Sequence, residues 1–110
     1  MRVISQDGTI DMPYEEVIIQ RFSSRIYFLN KNLTGVESLS DDMQIAKYST
    51  EAKAVKAMEM LREAYEGNEF YHYMSAADVF EKVVPYLSNE EFKEITSEYF
   101  RFPQDDEIEA

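Results

Sequence analysis

The sequence predicts an α+β protein, a small antiparallel sheet with one long and two short helices packed on one face. The first half contains short segments rich in β-branched and aromatic residues, separated by turn residues. Residues 50–66 carry apolar side chains at helical spacing. The length of 110 residues and a hydrophobic content of 45% suit one domain with a modest core.

The chain begins with a predicted hairpin. Arg2–Ser5 and Thr9–Met12 are short extended runs, and Asp7 and Gly8 lie between them. This dipeptide favours a turn because Gly tolerates positive φ and Asp hydrogen-bonds to its own backbone. Pro13 ends the hairpin.

Three more strands are predicted before the long helix. Glu16–Phe22 and Arg25–Asn30 are rich in β-branched and aromatic residues, and two serines connect them. Lys31–Asp42 is polar and irregular, which predicts a loop, and a loop of this length is often functional. Met43–Tyr48 alternates in polarity and is the next predicted strand.

The long helix is predicted over residues 50–66. Ser49 or Thr50 can cap its first turn, Glu51 complements the helix dipole, and Gly67 is placed to end it. Its apolar stripe consists of Ala54, Ala57, Met58, Leu61, Ala64 and Tyr65.

The last third predicts two short helices and a strand. Asn68–Met74 is aromatic and is either a short strand or a packed loop. Capping-box sequences predict one helix from Ser75 to the region of Leu87 and another from Ser88. Thr96–Phe102 alternates like a strand. We therefore expect a single domain over residues 1–103, followed by a flexible acidic tail over residues 104–110.

Charge and cysteine content exclude several classes of function. The net charge is -11, and residues 51–110 alone carry fifteen acidic and six basic groups. Such a chain repels phosphate backbones and anionic membranes, so direct nucleic-acid and membrane binding are disfavoured. With no cysteine there are no disulfides and no thiolate sites. No apolar run suits a membrane span or a signal peptide, and we expect a cytoplasmic protein.

No catalytic, cofactor or metal-binding residues are predicted. His72, the only histidine, lies between two tyrosines, which favours a packing or surface role over base catalysis. The acidic clusters lack calcium-loop spacing, and the three isolated glycines form no phosphate-binding loop. A small hydrolase using His72 or a pair of carboxylates is the least favoured alternative.

The preferred prediction is a non-enzymatic protein whose acidic C-terminal half binds a host protein with a basic surface. Charge complementarity steers such an association. The residues predicted to form this surface are Glu90, Glu91, Glu94, Glu98, Asp105, Asp106, Glu107 and Glu109.

Two further possibilities concern small ligands and self-association. An oligomer could bind a nucleotide signal through aromatic and arginine side chains. The candidates for that site are Arg2, Arg21, Arg25, Tyr27 and Tyr48. Because both faces of the segment Val17–Phe22 carry apolar side chains, one face is expected to be covered by a second copy, as in a homodimer.

Four segments together resemble a family of small proteins encoded by phages and prophages of Gram-positive gut bacteria. They are Met1–Ile10, the step Pro13–Glu15, the stretch Ile45–Tyr65 and the segment Phe102–Glu107. They lie at both ends of the chain and through the long helix, and residues 68–99 carry no resemblance. The family has no assigned activity, so no functional residues are carried over.

The resemblance implies a biological setting. Small acidic phage proteins without enzymatic motifs often inhibit host defence. Anti-CRISPR proteins, for example, block a nucleic-acid-binding effector by presenting carboxylates in place of phosphates. The resemblance therefore implies an inhibitor of a host defence effector, such as a nuclease, or a protein that sequesters a nucleotide signal.

Overall fold

The computed structural model describes residues 1–30, 41–76, 82, 84–86, 88–90 and 98–110. These residues form two three-stranded sheets and one long helix, so the predicted combination of a small, largely antiparallel sheet with a long helix is confirmed in outline. The elements are β1 (Arg2–Ile4), β2 (Asp11–Pro13), β3 (Val17–Phe22), β4 (Arg25–Asn30), β5 (Gln44–Lys47), α1 (Glu51–Ala76) and β6 (Tyr99–Arg101). Short 3-10 turns cover Tyr14–Glu16, Asp41–Met43, Val84–Tyr86 and Asp105–Glu107.

The first sheet has the strand order β2-β1-β6. Its β1–β2 hairpin confirms the prediction, and Gly8 adopts a φ of +79° in the turn. The Asp7 carboxylate accepts hydrogen bonds from Ser5 and Thr9, which lowers the pKa of Asp7 to about 2. Strand β6 pairs with β1 in parallel, so this sheet is mixed and joins the two ends of the described chain.

The second sheet is antiparallel, in the order β3-β4-β5. Strands β3 and β4 pair without interruption from Phe22–Arg25, next to the turn, to Val17–Asn30 at the far end. Ser23 takes the positive φ of 56° that glycine would usually supply in this tight turn. One face of the sheet, containing the fully buried Ile26, packs against α1.

Helix α1 begins where predicted but ends ten residues later. The Thr50 hydroxyl accepts a hydrogen bond from the Lys53 N–H at 3.2 Å, as an N-cap does. The helix continues through Gly67 to Ala76, so the predicted end at Gly67 was wrong, and Asn68–Met74 is helical. A glycine costs a helix interior only about 1 kcal/mol relative to alanine, which by itself is too little to end a helix.

The two predicted short helices are not matched. Ser75 lies in the last turn of α1 rather than at the start of a new helix. Near the end of this first predicted helix, Val84–Tyr86 forms a 3-10 turn. Much of both helices, and most of the predicted 31–42 loop, falls on residues 31–40, 77–81, 83, 87 and 91–97, which lie outside the described part.

The core lies between the first half of α1 and the two sheets. Small side chains on the helix, Ala54 and Ala57, are fully buried and let its backbone approach the sheets closely. Phe102, directly after β6, is also fully buried and meets Phe100 edge to face with ring centroids 5.2 Å apart. The buried hydrophobic set is Val3, Met12, Ile26, Tyr27, Ile45, Ala46, Tyr48, Ala54, Ala57, Leu61, Phe102 and Ile108.

Gln6 joins both sheets to the C-terminal segment. Its backbone N–H donates to the Ile45 carbonyl at 2.8 Å, and its side-chain amide donates to the Pro103 carbonyl at 3.1 Å. The Gln6 side-chain oxygen accepts from the Lys47 N–H at 3.0 Å. One glutamine therefore fixes the end of β1, the outer edge of β5 and the chain after β6.

The acidic segment after Pro103 is packed, in contrast to the flexible tail expected from the sequence. Asp105–Glu107 forms a 3-10 turn in which Glu107 accepts a hydrogen bond from the Gln104 N–H. Ile108 is only 5% exposed and belongs to the core. Burial of this one apolar side chain, together with the bonds made by Asp105, holds the segment against the fold.

Candidate functional site

A groove runs along α1 from Met58 toward the C-terminal end of the helix, between α1 and the 3-10 turn that precedes β3. It consists of two adjoining depressions that share Glu15 and Tyr65. The upper depression, of about 450 Å³, has an apolar floor. The lower depression, of about 510 Å³, lies beside the last turns of α1. The remaining lining residues are Tyr14, Val17, Ile18, Ile19, Met58, Leu61 and Arg62 above and Met1, Asn68, Glu69, His72 and Tyr73 below.

Helix α1 supplies one wall of this groove by simple periodicity. Met58, Arg62, Tyr65, Glu69 and His72 are spaced four, three, four and three residues apart. Side chains at that spacing lie in one stripe along a helix. The stripe therefore changes from apolar at its N-terminal end to aromatic and acidic at its C-terminal end.

Two stacked tyrosines form the centre of the groove. The rings of Tyr14 and Tyr65 lie with centroids 4.4 Å apart and planes tilted by 33°. The Tyr65 hydroxyl donates a hydrogen bond to the Glu69 carboxylate, and this bond raises the pKa of Tyr65 above its ordinary value. Glu69 therefore lies beside the aromatic surface of the groove.

Glu15 forms the opposite acidic wall. Its carboxylate receives the Met1 ammonium at 3.0 Å, yet its side chain stays half exposed. Because Glu15 and Glu69 flank the same tyrosine, the lower depression offers two carboxylates beside an aromatic ring. Carboxylates and an aromatic face together attract lysine, arginine or another organic cation.

Aromatic side chains extend this surface beyond the groove. Tyr73 is 69% exposed and Phe70 is 38% exposed, both on the last turns of α1. Between Glu59 and the end of α1 the sequence contains four glutamates and one arginine. Exposed aromatic area beside acidic groups is a composition suited to protein recognition, since tyrosine gives contact area at low entropic cost.

The predicted acidic surface is only partly assembled. Glu90, Glu98, Asp106 and Glu109 are exposed, as is Glu107, which binds the backbone of its own turn. Glu91 and Glu94 lie outside the described residues.

Asp105 is engaged within the fold. Its carboxylate accepts hydrogen bonds from the backbone and hydroxyl of Ser49 at 2.7 and 3.1 Å and from the Lys53 ammonium at 3.2 Å. The Ser49 backbone bond, more than any other interaction, lowers the pKa of Asp105. Asp105 thus holds the C-terminal segment to the start of α1, which is a structural role.

The five residues predicted for a nucleotide site are not brought together in one pocket. Tyr27 and Tyr48 are buried, and the Tyr48 hydroxyl donates to the Pro103 carbonyl at 2.8 Å. Burial also raises the pKa of Tyr48. Arg2 pairs with Asp11 on the first sheet. Arg21 pairs with Glu51 at 2.9 Å, and Arg25 lies beside Phe22 at the β3–β4 turn.

His72 lies at the lower end of the groove, exposed, with its ring 5.4 Å from that of Tyr71. Within the described ranges, no three histidine or carboxylate side chains are close enough to hold a metal ion. None of the helices described has the length and apolar content needed to cross a bilayer.

Sequence reasoning missed the groove because its two walls are far apart in the chain. Tyr14 and Glu15 follow a proline that ends the hairpin, and nothing local pairs them with Tyr65 or Glu69. The available signal was the stripe through Met58 and Tyr65, which continues past Gly67 when the helix is extended. Reading Gly67 as the helix end hid that continuation.

Comparisons with protein-family models, with curated proteins and with solved structures found no match to this chain.

Proposed function

We propose that the protein binds a basic, partly apolar segment of another protein in the groove along α1, and that it acts by this contact rather than by catalysis. The observation that carries the proposal is that Glu15 and Glu69 both line the lower depression beside Tyr65, whose ring packs on that of Tyr14.

The shape of the groove supports an occupant that is extended and amphipathic. Apolar side chains would contact the upper floor around Met58 and Leu61. A lysine or arginine would lie in the lower depression, between the two carboxylates and against Tyr65. Tyr73 would cover the bound segment from the side, as exposed aromatic residues do at interaction hot spots.

Overall charge supports the same class of partner. The chain has a net charge of -11, which accelerates encounter with a cationic surface and disfavours acidic ones. The exposed carboxylates near the C-terminus, including Asp106 and Glu109, contribute to this long-range field. In the proposal they steer the partner, whereas the groove gives the specific contact.

The resemblance to small phage proteins suggests the biological role. We propose that the partner is a host defence effector whose basic, nucleic-acid-binding surface is blocked by this protein. The role is tested by expressing the chain in a host with active CRISPR immunity and measuring the plating efficiency of a targeted phage. A rise that is lost in the Glu15→Gln, Glu69→Gln variant would support inhibition; an unchanged efficiency would contradict the anti-defence role.

The groove itself is tested with a fluorescent peptide of alternating arginine and leucine, with an alternating glutamate and leucine peptide as control. Binding is measured by anisotropy for the wild type and two double variants. The groove variant carries Glu15→Gln and Glu69→Gln. The control variant carries Asp106→Asn and Glu109→Gln, and it removes the same amount of charge from the C-terminal segment. We expect the groove variant to bind about tenfold more weakly and the control variant to change by less than about threefold.

Equal losses in the two variants would mean that only net charge matters, and the groove would then not be the site. Equal binding of the acidic peptide would contradict the charge argument. Both variants alter exposed groups, so folding is expected to persist, and circular dichroism verifies it.

A further inference from the structure

The second sheet has one protected edge and one open edge. Strand β5 is covered on its outer side by Gln6, which bonds to the Ile45 carbonyl and the Lys47 N–H. Strand β3 lies at the other edge. It is six residues long and contains neither proline nor lysine, the residues that commonly prevent edge pairing.

Among the described residues, the backbone groups of β3 along this edge have no partner strand. The two-residue turn makes Phe22 and Arg25 a hydrogen-bonded pair. Because hydrogen-bonded and non-hydrogen-bonded pairs alternate along an antiparallel ladder, the backbone groups of Gln20 and Ile18 also bond to β4. Val17, Ile19 and Arg21 therefore direct their N–H and C=O groups outward. In the described part of the chain, no hydrogen bond joins these backbone groups to another element.

Large apolar side chains accompany the open edge. Ile18 is 49% exposed and Phe22 is 68% exposed, and both lie on the face of the sheet opposite α1. An exposed apolar edge strand is a template for pairing with another strand.

We propose that β3 pairs with β3 of a second copy, antiparallel and centred on Gln20, so that two sheets join into one of six strands. This register agrees with the alternation of backbone groups along β3. The outward N–H and C=O groups of Ile19 in one copy lie opposite those of Arg21 in the other, and the two residues form a hydrogen-bonded pair. Ile18 lies opposite Phe22 of the other copy, and the same apolar contact occurs twice. Gln20 faces its own counterpart at the two-fold axis.

Charge along the strand favours self-pairing. The start of β3 follows Glu15 and Glu16, whereas its end carries Arg21 and, across the turn, Arg25. In an antiparallel pair, the acidic start of one copy lies beside the basic end of the other at both ends of the interface. A parallel pair would instead place like charges together, which is destabilising.

The first test is the molecular mass in solution by sedimentation or light scattering, over a range of concentrations. We expect a species of twice 12.9 kDa. Phe22→Lys should raise the dimer dissociation constant about tenfold or more, because each lost contact occurs twice. Tyr86→Lys is the matched control: its ring is 86% exposed and lies away from β3 in sequence, so the dimer should persist.

The second test examines the register. The chain has no cysteine, so Gln20→Cys introduces a single thiol. At a non-hydrogen-bonded antiparallel position the two Cα atoms lie about 4.5 Å apart, within disulfide range. Mild oxidation should therefore cross-link Gln20→Cys rapidly and the exposed helix variant Ala52→Cys slowly.

Three results would overturn the proposal. One is a monomer at every concentration. Another is a dimer that Phe22→Lys leaves intact, which would assign the interface elsewhere. The third is equal cross-linking of the two cysteine variants. The groove proposal rests on Glu15 and Glu69, not on Phe22, so failure here leaves it standing, although Val17, Ile18 and Ile19 contribute to both surfaces.

Discussion

The two halves of α1 have different roles although they form one continuous helix. The first half, Glu51–Leu61, buries Ala54, Ala57 and Leu61 and exchanges ion pairs with Arg21 and Asp105. In the second half, Arg62–Ala76, the buried position is Asn68, and tyrosines and glutamates face outward.

This difference separates stability from recognition. Small side chains in the first half bring the helix close to the sheets, where packing contributes most of the folding free energy. Larger side chains in the second half project into the groove and solvent. Changes to the first half and its contacts are therefore expected to unfold the protein, whereas changes to the second half should alter binding.

The largest effect is expected at Phe102, which is fully buried and belongs to the same core cluster as Ala54 and Ala57 in the first half of α1. Phe102→Ala should lower the free energy of unfolding by about 3–5 kcal/mol, because it removes apolar contact and leaves a cavity. Urea denaturation measures the change. Tyr73→Ala in the second half is the control and should change stability by no more than about 0.5 kcal/mol. Similar losses in both variants would remove the distinction between the halves.

Overpacking the helix–sheet contact gives a second comparison. Ala57→Leu should cost about 1–3 kcal/mol, since the larger side chain has no room at a fully buried position. Ala52→Leu on the exposed side of the same half should be close to neutral. Thermal unfolding monitored by circular dichroism measures both. A tolerated Ala57→Leu would mean that the contact is looser than described.

A smaller effect on stability is expected from the hydrogen bond that joins Tyr48 to the C-terminal segment. Tyr48→Phe deletes the hydroxyl that donates to Pro103 and should cost about 1 kcal/mol of unfolding free energy. The Pro103 carbonyl keeps its bond from Gln6, so the loss should not be larger. Urea midpoints compare the variant with the wild type, and an unchanged midpoint would show that the fastening is unimportant.

Acid should lower the free energy of unfolding through two aspartates, one in the β1–β2 turn and one in the C-terminal segment. The pKa of Asp7 falls from 3.8 to about 2 in the fold, and that of Asp105 is also lowered. Folding thus releases protons from both groups, so their stabilisation is complete above the unfolded pKa and is lost as pH falls through the folded pKa. Asp7→Asn and Asp105→Asn should differ most from the wild type at neutral pH and converge with it in strong acid. A constant difference at every pH would contradict this assignment.

Local sequence signals predicted the elements that they determine alone. The Asp7–Gly8 turn, strands β3 to β5 and the start of α1 depend on turn residues, β-branched side chains and a cap. The strand over Thr96–Phe102 was also predicted, and β6 lies within it, but its parallel pairing with β1 depends on a distant part of the chain and was not predicted. The end of α1 at Ala76 was not predicted either, because Gly67 was interpreted as the helix end.

The acidic residues also show which properties can be predicted locally and which depend on distant contacts. Their composition predicted an anionic protein but did not separate Asp105, which is bonded to Ser49 and Lys53, from the exposed Asp106 beside it. Ile108 was the one large apolar residue in the C-terminal acidic run and the signal that this segment packs. Glu15 and Glu69 could not be paired from sequence, because their proximity depends on how α1 crosses the hairpin end.

The most direct test of the groove is an NMR titration of the ¹⁵N-labelled protein with the arginine–leucine peptide. We expect saturable shifts at the amides of Glu15, Tyr65, Glu69 and Tyr73, with little change at Asp106 and Glu109. Shifts centred on the C-terminal segment, or spread over all carboxylates without saturation, would contradict the account.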